Sequence, residues 1–191
     1  MNVTAKKFKV VLVGASSVGK TSIVMRFSKD SFSPGQESTI GAAFLSRDVP
    51  TPSGVVCLHI WDTAGQELYR SLVPRYSQGA SAIIIVFDVT DPESFESAKQ
   101  WLDETRAMHS DKLIWYLVGN KIDEKPGFDL TIAQTFALEQ NLNYIETSAK
   151  TGQNIDELFI SIAQMVPRLP PEPGGVDMTN NPPPSSKNSC C

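Results

Sequence analysis

Residues 14–21, Gly-Ala-Ser-Ser-Val-Gly-Lys-Thr, match the pattern G-x-x-x-x-G-K-[ST] and directly follow an apolar run, Phe8–Gly14. Glycines let backbone N–H groups wrap closely around phosphate oxygens, and a helix that begins near Gly19 points its dipole at the same anion. Lys20 can neutralise terminal phosphates in catalysis, and Thr21 can offer its hydroxyl to Mg²⁺. The residues predicted to hold phosphate are therefore Ser16, Ser17, Val18, Gly19, Lys20, Thr21 and Ser22.

A second motif, Trp-Asp-Thr-Ala-Gly-Gln-Glu, occupies residues 61–67. Asp62 ends an apolar run, where a carboxylate can hold Mg²⁺ through water. Gly65 can present its N–H to a γ-phosphate, and Gln66 can orient an attacking water molecule as a catalytic residue. A phosphate loop alone is compatible with kinases, ATPases and GTPases. The second motif, at this distance from the phosphate loop, narrows the class of protein.

Two further motifs indicate which base is bound, Gly-Asn-Lys-Ile-Asp at 119–123 and Glu-Thr-Ser-Ala-Lys at 146–150. A carboxylate at Asp123 can accept from both N1–H and the 2-amino group of guanine. Adenine offers neither, so the acceptor would stay unpaired, a penalty of roughly 10⁴-fold in related cases. The motifs together favour guanine, and the residues predicted to bind it are Asn120, Lys121, Asp123, Ser148, Ala149 and Lys150.

Each of these base-side residues has an expected contact. The Asn120 amide can bridge guanine N7 and the backbone of the phosphate loop, and the Ala149 N–H can meet guanine O6. The aliphatic stems of Lys121 and Lys150 can cover the ring and the sugar.

The elements that must position these motifs alternate between strand and helix. Apolar runs predict strands, and apolar residues at helical spacing predict helices. Asp91 followed by Pro92 is typical of a helix start. This alternation predicts βαβ units, with a mostly parallel sheet covered by helices on both faces. The predicted strands are Phe8–Gly14, Val55–Asp62, Ala82–Thr90 and Leu113–Asn120, and the predicted helices are Lys20–Phe27, Glu93–Met108, Ile132–Glu139 and Ile155–Val166.

Composition excludes several classes of protein. The chain of 191 residues has a formal net charge of −4, which argues against a general nucleic-acid binder. The longest purely apolar run, Ala82–Phe87, is too short to cross a bilayer. From Pro167 onward the sequence is rich in proline and poor in large apolar residues, which predicts an unfolded tail.

The four motifs together resemble those of the Ras superfamily, and the segments between them resemble Rab GTPases: "IGAAF" (Ile40–Phe44), "YRSLV" (Tyr69–Val73) and "YSQGA" (Tyr76–Ala80). "STIGAAFL" and the tail's "GVDMT", with the terminal cysteine pair, are most similar to the early-endosomal branch. The resemblance implies a P-loop GTPase fold, α/β, with a six-stranded, mostly parallel sheet whose second strand is antiparallel. It also implies a flexible N-terminus at 1–6, a GTPase domain at 7–166 and a flexible tail at 167–191.

The resemblance assigns further residues. It implies that Thr39 meets Mg²⁺ and the γ-phosphate, and that Phe32 packs edge-on against guanine. It implies an effector surface formed by Ile40, Phe44, Trp61 and Tyr76. It implies that the last two residues, Cys190 and Cys191, each carry a geranylgeranyl group, because one lipid anchors only marginally and the tail is not basic. Mg²⁺ would then be held by Thr21, Thr39 and, through water, Asp62.

The function implied is a monomeric switch that binds GTP and GDP with Mg²⁺, hydrolyses GTP and regulates vesicle traffic, early-endosome docking and fusion, and endocytosis. The implied partners are an exchange factor, a GTPase-activating protein, a GDP-dissociation inhibitor, an escort protein and GTP-state effectors, with no nucleic acid. The implied location is the cytoplasmic face of early endosomes, with a cytosolic pool.

Two features of the sequence bear on the rate of GTP hydrolysis and on which proteins bind. No arginine occurs from residue 28 to residue 41, so intrinsic hydrolysis should be slow, on the order of 10⁻⁴ s⁻¹. Departures from the Rab pattern at Leu68, Ser77 and Gln78 bear on which partners bind. The alternative is a nucleotide-locked binding module without useful turnover, and the presence of Gln66 and Thr39 favours the enzyme.

Overall fold

The computed structural model describes residues 6–36, 39–65, 73–109 and 113–168. Within these residues, strands and helices alternate along most of the chain. A short 3₁₀ turn, Val166–Arg168, follows the last helix. In chain order the elements are β1 Lys6–Val13, α1 Lys20–Lys29, β2 Ala42–Thr51, β3 Gly54–Thr63, α2 Val73–Ser77, β4 Ala82–Asp88, α3 Pro92–Arg106, β5 Ile114–Asn120, α4 Thr131–Glu139, β6 Asn143–Thr147 and α5 Ile155–Met165.

The strands form one six-stranded sheet in the order β2-β3-β1-β4-β5-β6. β2 pairs with β3 in antiparallel fashion, and every other neighbouring pair is parallel. The carboxyl ends of the parallel strands therefore meet at one edge of the sheet, where ligands bind in folds of this kind. The predicted fold, a six-stranded mostly parallel sheet, is confirmed.

The central strand β4 shows why the sheet is covered on both faces. All of its residues are buried, and they alternate between two cores. Ala82, Ile84 and Val86 pack with residues of α1 and α5, whereas the residues between them pack with residues of α2, α3 and α4. Because a strand turns successive side chains to opposite faces, a continuously apolar run requires cover on both sides.

Helix α3 begins as its sequence predicts. Asp91 is the N-cap, its carboxylate accepts from the Glu93 N–H at 2.9 Å, and Pro92 lies in the first turn. This cap satisfies an N–H group that would otherwise lack a partner at the helix start. The start of α3 is therefore confirmed, although the helix ends at Arg106 rather than at Met108.

Several boundaries differ from the prediction. β1 begins at Lys6, which the prediction places in the N-terminal segment. β4 ends at Asp88, because its carboxylate turns to accept from the backbone and hydroxyl of Thr90. Pro167 and Arg168, which were assigned to the tail, complete the 3₁₀ turn with Val166. The rest of the tail, including Cys190 and Cys191, lies outside the described residues.

Of the helices in the described part of the chain, none combines the length and apolar character that crossing a bilayer requires.

Candidate functional site

Loops at the carboxyl edge of the sheet enclose a cavity of about 320 Å³. β1 leads into the phosphate loop, β3 into Gly65, β5 into the segment of Asp123, and β6 into the segment of Ala149. The sheet thus brings together four motifs that are scattered along the sequence. The predicted residues that line this cavity are Ser16, Ser17, Gly19, Lys20, Thr21, Ser22, Phe32, Thr39, Gly65, Asn120, Lys121, Asp123, Ala149 and Lys150.

The phosphate loop depends on glycine at two contacts. Gly19 is the N-cap of α1 and has φ 98°, and a Cβ atom there would overlap the Asn120 side-chain amide. A Cβ atom on Gly65 would overlap the Ala15 carbonyl and lie 2.5 Å from the Lys20 ammonium. Gly19 has no side chain to cap α1, so the first N–H groups of the helix remain available for an anion.

Lys20 is buried beside the phosphate loop. Its ammonium donates to the carbonyls of Gly14 at 2.8 Å and Ala15 at 2.6 Å. Burial lowers the pKa of Lys20 to about 8, and the nearby Asp62 carboxylate opposes this shift. A buried ammonium of this kind gains most when a phosphate supplies the missing negative charge.

Three oxygen-bearing side chains meet beside Lys20. The Thr21 hydroxyl donates to Asp62 Oδ2 at 2.6 Å and lies 2.6 Å from the Thr39 hydroxyl, and Thr39 donates to the same carboxylate oxygen at 3.3 Å. The other Asp62 oxygen, Oδ1, is buried without a hydrogen-bond partner among the described residues. Burial also raises the pKa of Asp62, against the hydrogen bond from Thr21 and the charge of Lys20.

This cluster fits a hard divalent cation. Mg²⁺ prefers oxygen ligands, keeps several water molecules and uses one or two carboxylates. The described residues contain no group of three or more histidine, cysteine or acidic side chains that could hold a softer metal. The unpartnered Asp62 oxygen and the two hydroxyls therefore suit Mg²⁺ bound together with phosphate.

Asn120 connects three loops. Its side-chain amide donates to the Val18 carbonyl at 2.9 Å, and its Oδ1 accepts from the Thr147 hydroxyl and the Ala149 N–H, each at 3.2 Å. The residue is fully buried, where each of these bonds costs most to lose. Asn120 therefore holds the phosphate loop in a fixed relation to the two base-side segments.

Asp123 lies on the surface, yet only 11% of its side chain is exposed. It accepts from the Ser148 hydroxyl at 2.6 Å and lies 3.3 Å from the Lys150 ammonium. Burial alone would raise the pKa of Asp123, but the hydrogen bonds from Ser148 and Lys150 outweigh it and hold that pKa below its usual value. The carboxylate is therefore ionised at neutral pH and can only accept hydrogen bonds.

Lys121 has a left-handed backbone, φ 71°, and its ammonium pairs with the buried Asp88 carboxylate. Lys121 also lines the cavity, so this pair lies beside the site. The half-buried Phe32 lines the same cavity.

Two of the predicted nucleotide-binding residues lie behind the cavity lining. Val18 packs into the core and contributes its carbonyl to Asn120, while Ser148 is buried and contributes its hydroxyl to Asp123. The structure adds lining residues that the motifs did not indicate. Ser33, Thr63 and Glu124 each neighbour a predicted residue in sequence, and that adjacency is the signal that could have found them. No signal in the sequence indicated Pro34, Gly35 and Gln36, which lie between Phe32 and Thr39.

The predicted effector residues are arranged beside this site. The Phe44 and Trp61 rings meet at 5.3 Å between centroids, and the Trp61 and Tyr76 rings at 6.0 Å. Phe44 is 53% exposed and Ile40 is also exposed, so the group presents apolar surface to solvent. We call Phe44, Trp61 and Tyr76 the aromatic row. Gln66 and Leu68, which the sequence also singled out, lie outside the described residues.

A comparison with known protein families matches residues 9–168 to the Ras family. The match begins in β1 and ends with the 3₁₀ turn, so it spans most of the chain and every loop that lines the cavity. Ras-family proteins are small GTP-binding switches, which bind GTP and GDP, typically with Mg²⁺. On the match and the fold together, the chain belongs to the Ras family.

Proposed function

We propose that this protein is a Rab-type switch that binds GTP, hydrolyses it to GDP and phosphate, and regulates vesicle traffic at early endosomes. The observation that carries the Rab assignment is the aromatic row. Phe44 lies in β2, shortly after Thr39, and Trp61 directly precedes Asp62 in β3. A structural change at Asp62 in the cation site is therefore only one residue away from the aromatic row, which presents apolar surface to solvent.

The residues around the cavity have complementary roles in nucleotide binding. Lys20 and the N–H groups at the start of α1 meet the phosphates. Asp123, ionised at neutral pH, accepts from the guanine edge, and the Ala149 N–H, which donates to Asn120 Oδ1 at 3.2 Å, can be shared with guanine O6. Adenine leaves the Asp123 carboxylate unpaired, and that loss selects guanine.

Hydrolysis follows from the same arrangement. Thr21, Thr39 and, through water, Asp62 would hold Mg²⁺, which when bound would supply positive charge against the charge that develops on the phosphates. Lys20 stabilises the same charge from the other side, and Gln66 orients the attacking water. No arginine lies in the segment that covers the site, so turnover stays slow until an activating protein supplies one.

The remaining partners follow from the cycle. An exchange factor replaces GDP with GTP, effectors bind the aromatic row and Ile40 in the GTP state, and a GDP-dissociation inhibitor and an escort protein shield the lipids. Geranylgeranyl groups on Cys190 and Cys191 hold the protein on the membrane, because two chains anchor stably where one does not.

Two experiments test this function. Single-turnover GTP hydrolysis, with and without a Rab GTPase-activating protein, should show slow intrinsic turnover and strong activation. If neither intrinsic turnover nor activation is observed, the protein is instead a binding module that holds nucleotide without useful turnover. In cells, a tagged copy should coincide with early-endosomal markers, and a variant with serine at both terminal cysteines should be wholly cytosolic with normal GTP binding.

The aromatic row has a matched control. Phe44→Ala should abolish GTP-dependent capture of effectors, whereas Val55→Ala, on the same hairpin and 48% exposed, should not. Equal capture by the two variants would refute the assignment of the effector surface.

A further inference from the structure

Arg26 is a residue that no motif singled out, and its guanidinium makes four hydrogen bonds. Nε donates to the Ala149 carbonyl at 2.8 Å, and Nη2 donates to the Lys150 carbonyl at 2.8 Å. Nη1 donates to the Asp30 carbonyl at 3.1 Å and to the Asp30 carboxylate at 2.9 Å. Only 18% of the Arg26 side chain is exposed, and its bond to the Ala149 carbonyl is partly buried, whereas the other three bonds are exposed.

The two bonds to residues 149 and 150 fix the back of the base-side segment. The Ala149 carbonyl meets Arg26, while the N–H of the same residue donates to Asn120. The neighbouring Ser148 donates to Asp123, and Lys150 lies 3.3 Å from the same carboxylate. A shift of this segment away from Arg26 would therefore displace the Ala149 N–H and both partners of Asp123 together.

The bonds to Asp30 fix a second segment, which leads to the cavity lining. Asp30 ends α1 in a left-handed conformation, φ 48°, with its N–H bonded back to the Arg26 carbonyl. Two residues further on is Phe32, whose ring lines the cavity. Arg26 thus ties the segment that leads to Phe32 to the segment that carries Ala149.

The ion pair with Asp30 does not explain this arrangement. The Asp30 side chain is 92% exposed, and exposed pairs contribute little to stability. The bonds to the remote carbonyls require a planar fork with several donors in fixed directions, which arginine has and lysine lacks. The geometry therefore assigns the side chain a role in positioning rather than in surface charge.

We propose that Arg26 is a positioning residue for the guanine base, holding together the segments of Phe32 and Ala149, which both line the cavity, and so slowing nucleotide release. The inference rests on the proposed placement of guanine between these segments. Arg26 itself does not line the cavity, so its effect passes through residues 30 and 148–150.

The test measures dissociation of fluorescent GDP from the full-length protein and from Arg26→Gln and Arg26→Lys variants. Loss of the fork in Arg26→Gln should speed GDP release about tenfold, which corresponds to about 1.4 kcal/mol. Arg26→Lys keeps the charge but not the fork, so it should also release GDP several-fold faster than the parent.

Arg106 provides a matched control. It lies on α3, donates to the side chain of Gln140 at 3.0 Å and to its carbonyl at 2.5 Å, and does not line the cavity. Arg106→Gln removes a comparable fork between two segments outside the cavity lining. GDP release from this variant should stay within twofold of the parent, even if thermal unfolding shows a similar loss of stability.

Two further readouts separate positioning from general loosening of the fold. The acceleration of GDP release by EDTA, which removes Mg²⁺, should be the same factor in Arg26→Gln as in the parent, because the cation site is intact. The preference for GDP over ADP should fall about tenfold, because only the base contacts change.

The outcomes distinguish the two hypotheses. If the parent does not prefer GDP to ADP, the proposed function fails, and the inference fails with it. If the parent prefers GDP but Arg26→Gln releases it at the parent's rate, or if Arg106→Gln accelerates release equally, only the inference is overturned.

Discussion

Replacing Asp123 by asparagine changes its charge and hydrogen-bonding capacity with almost no change in shape. The Ser148 hydroxyl, now 2.6 Å from the carboxylate, can donate equally to an amide oxygen. Lys150 loses its ionic partner, but its side chain is 60% exposed and stays hydrated. The fold should therefore tolerate the substitution, and the effect should appear in nucleotide binding.

The magnitude follows from two hydrogen bonds. The carboxylate accepts from N1–H and from the 2-amino group of guanine, and a hydrogen bond to a charged group contributes about 1.5–3 kcal/mol. Loss of both costs about 3–6 kcal/mol, which weakens GDP binding by roughly 10² to 10⁴-fold. Xanthine carries a carbonyl where guanine has the amino group, and an asparagine amide can donate to it. Affinity for XDP should rise correspondingly.

Competition of GDP and XDP against a fluorescent nucleotide measures both changes. Asp129→Asn is the control, because Asp129 also accepts bonds from a hydroxyl and a backbone N–H but lies on the surface before α4, outside the cavity lining. It should bind GDP like the parent. Unchanged GDP affinity in Asp123→Asn, with no gain for XDP, would refute the base assignment.

Three further perturbations test the phosphate side. Thr21→Asn removes a hydroxyl from the cation site and should weaken GTP binding more than GDP binding, and equal losses in a displacement assay would contradict the Mg²⁺ assignment. Burial lowers the pKa of Lys20 to about 8 in the free protein, and a bound phosphate favours its charged form. GDP binding near pH 8 should therefore take up a proton, and GDP affinity should fall as the pH rises above 8. Calorimetry in two buffers of different ionisation enthalpy measures the uptake, which Lys20→Met should lack. Gln66→Leu should slow intrinsic hydrolysis with little change in GTP affinity, and an intrinsic rate equal to the parent's would show that the catalytic glutamine is misplaced.

The strands and helices that could be predicted from the sequence are those buried on one face or on both faces. β4 is apolar throughout because both faces are covered, and α3 begins with a proline beside a capping aspartate. β2 escaped detection as an element of its own because it is an exposed edge strand, interrupted by Pro50, whose apolar residues do not alternate with polar ones. β6 is only five residues long and mostly half-buried, so the resemblance alone implied a sixth strand.

For the candidate site, the motifs predicted most of the cavity lining, because each motif follows a buried strand and parallel strands end together. They did not predict Arg26. Two of its hydrogen-bond acceptors are backbone carbonyls 123 and 124 residues away. Every residue has a backbone carbonyl, so such an acceptor cannot be identified from the sequence. The pairing of Lys121 with Asp88 escaped for a similar reason, since only the parallel register of β4 and β5 brings the ends of those strands together.

The hairpin of β2 and β3 has a consequence for loop engineering. Phe44 stands directly opposite Trp61 in the antiparallel register, and only Pro52 and Ser53 separate Thr51 from Gly54 at the turn. Because side chains alternate between faces, a one-residue slip of β2 would carry Phe44 to the face of Leu45, which packs against the core beneath α1 and α5. Arg47, whose guanidinium lies 4.1 Å from the Phe27 ring, opposes such a slip. An insertion of a single residue within β2 would therefore remove Phe44 from the aromatic row and abolish partner recognition, whereas the tip of the hairpin can take a tag or a label.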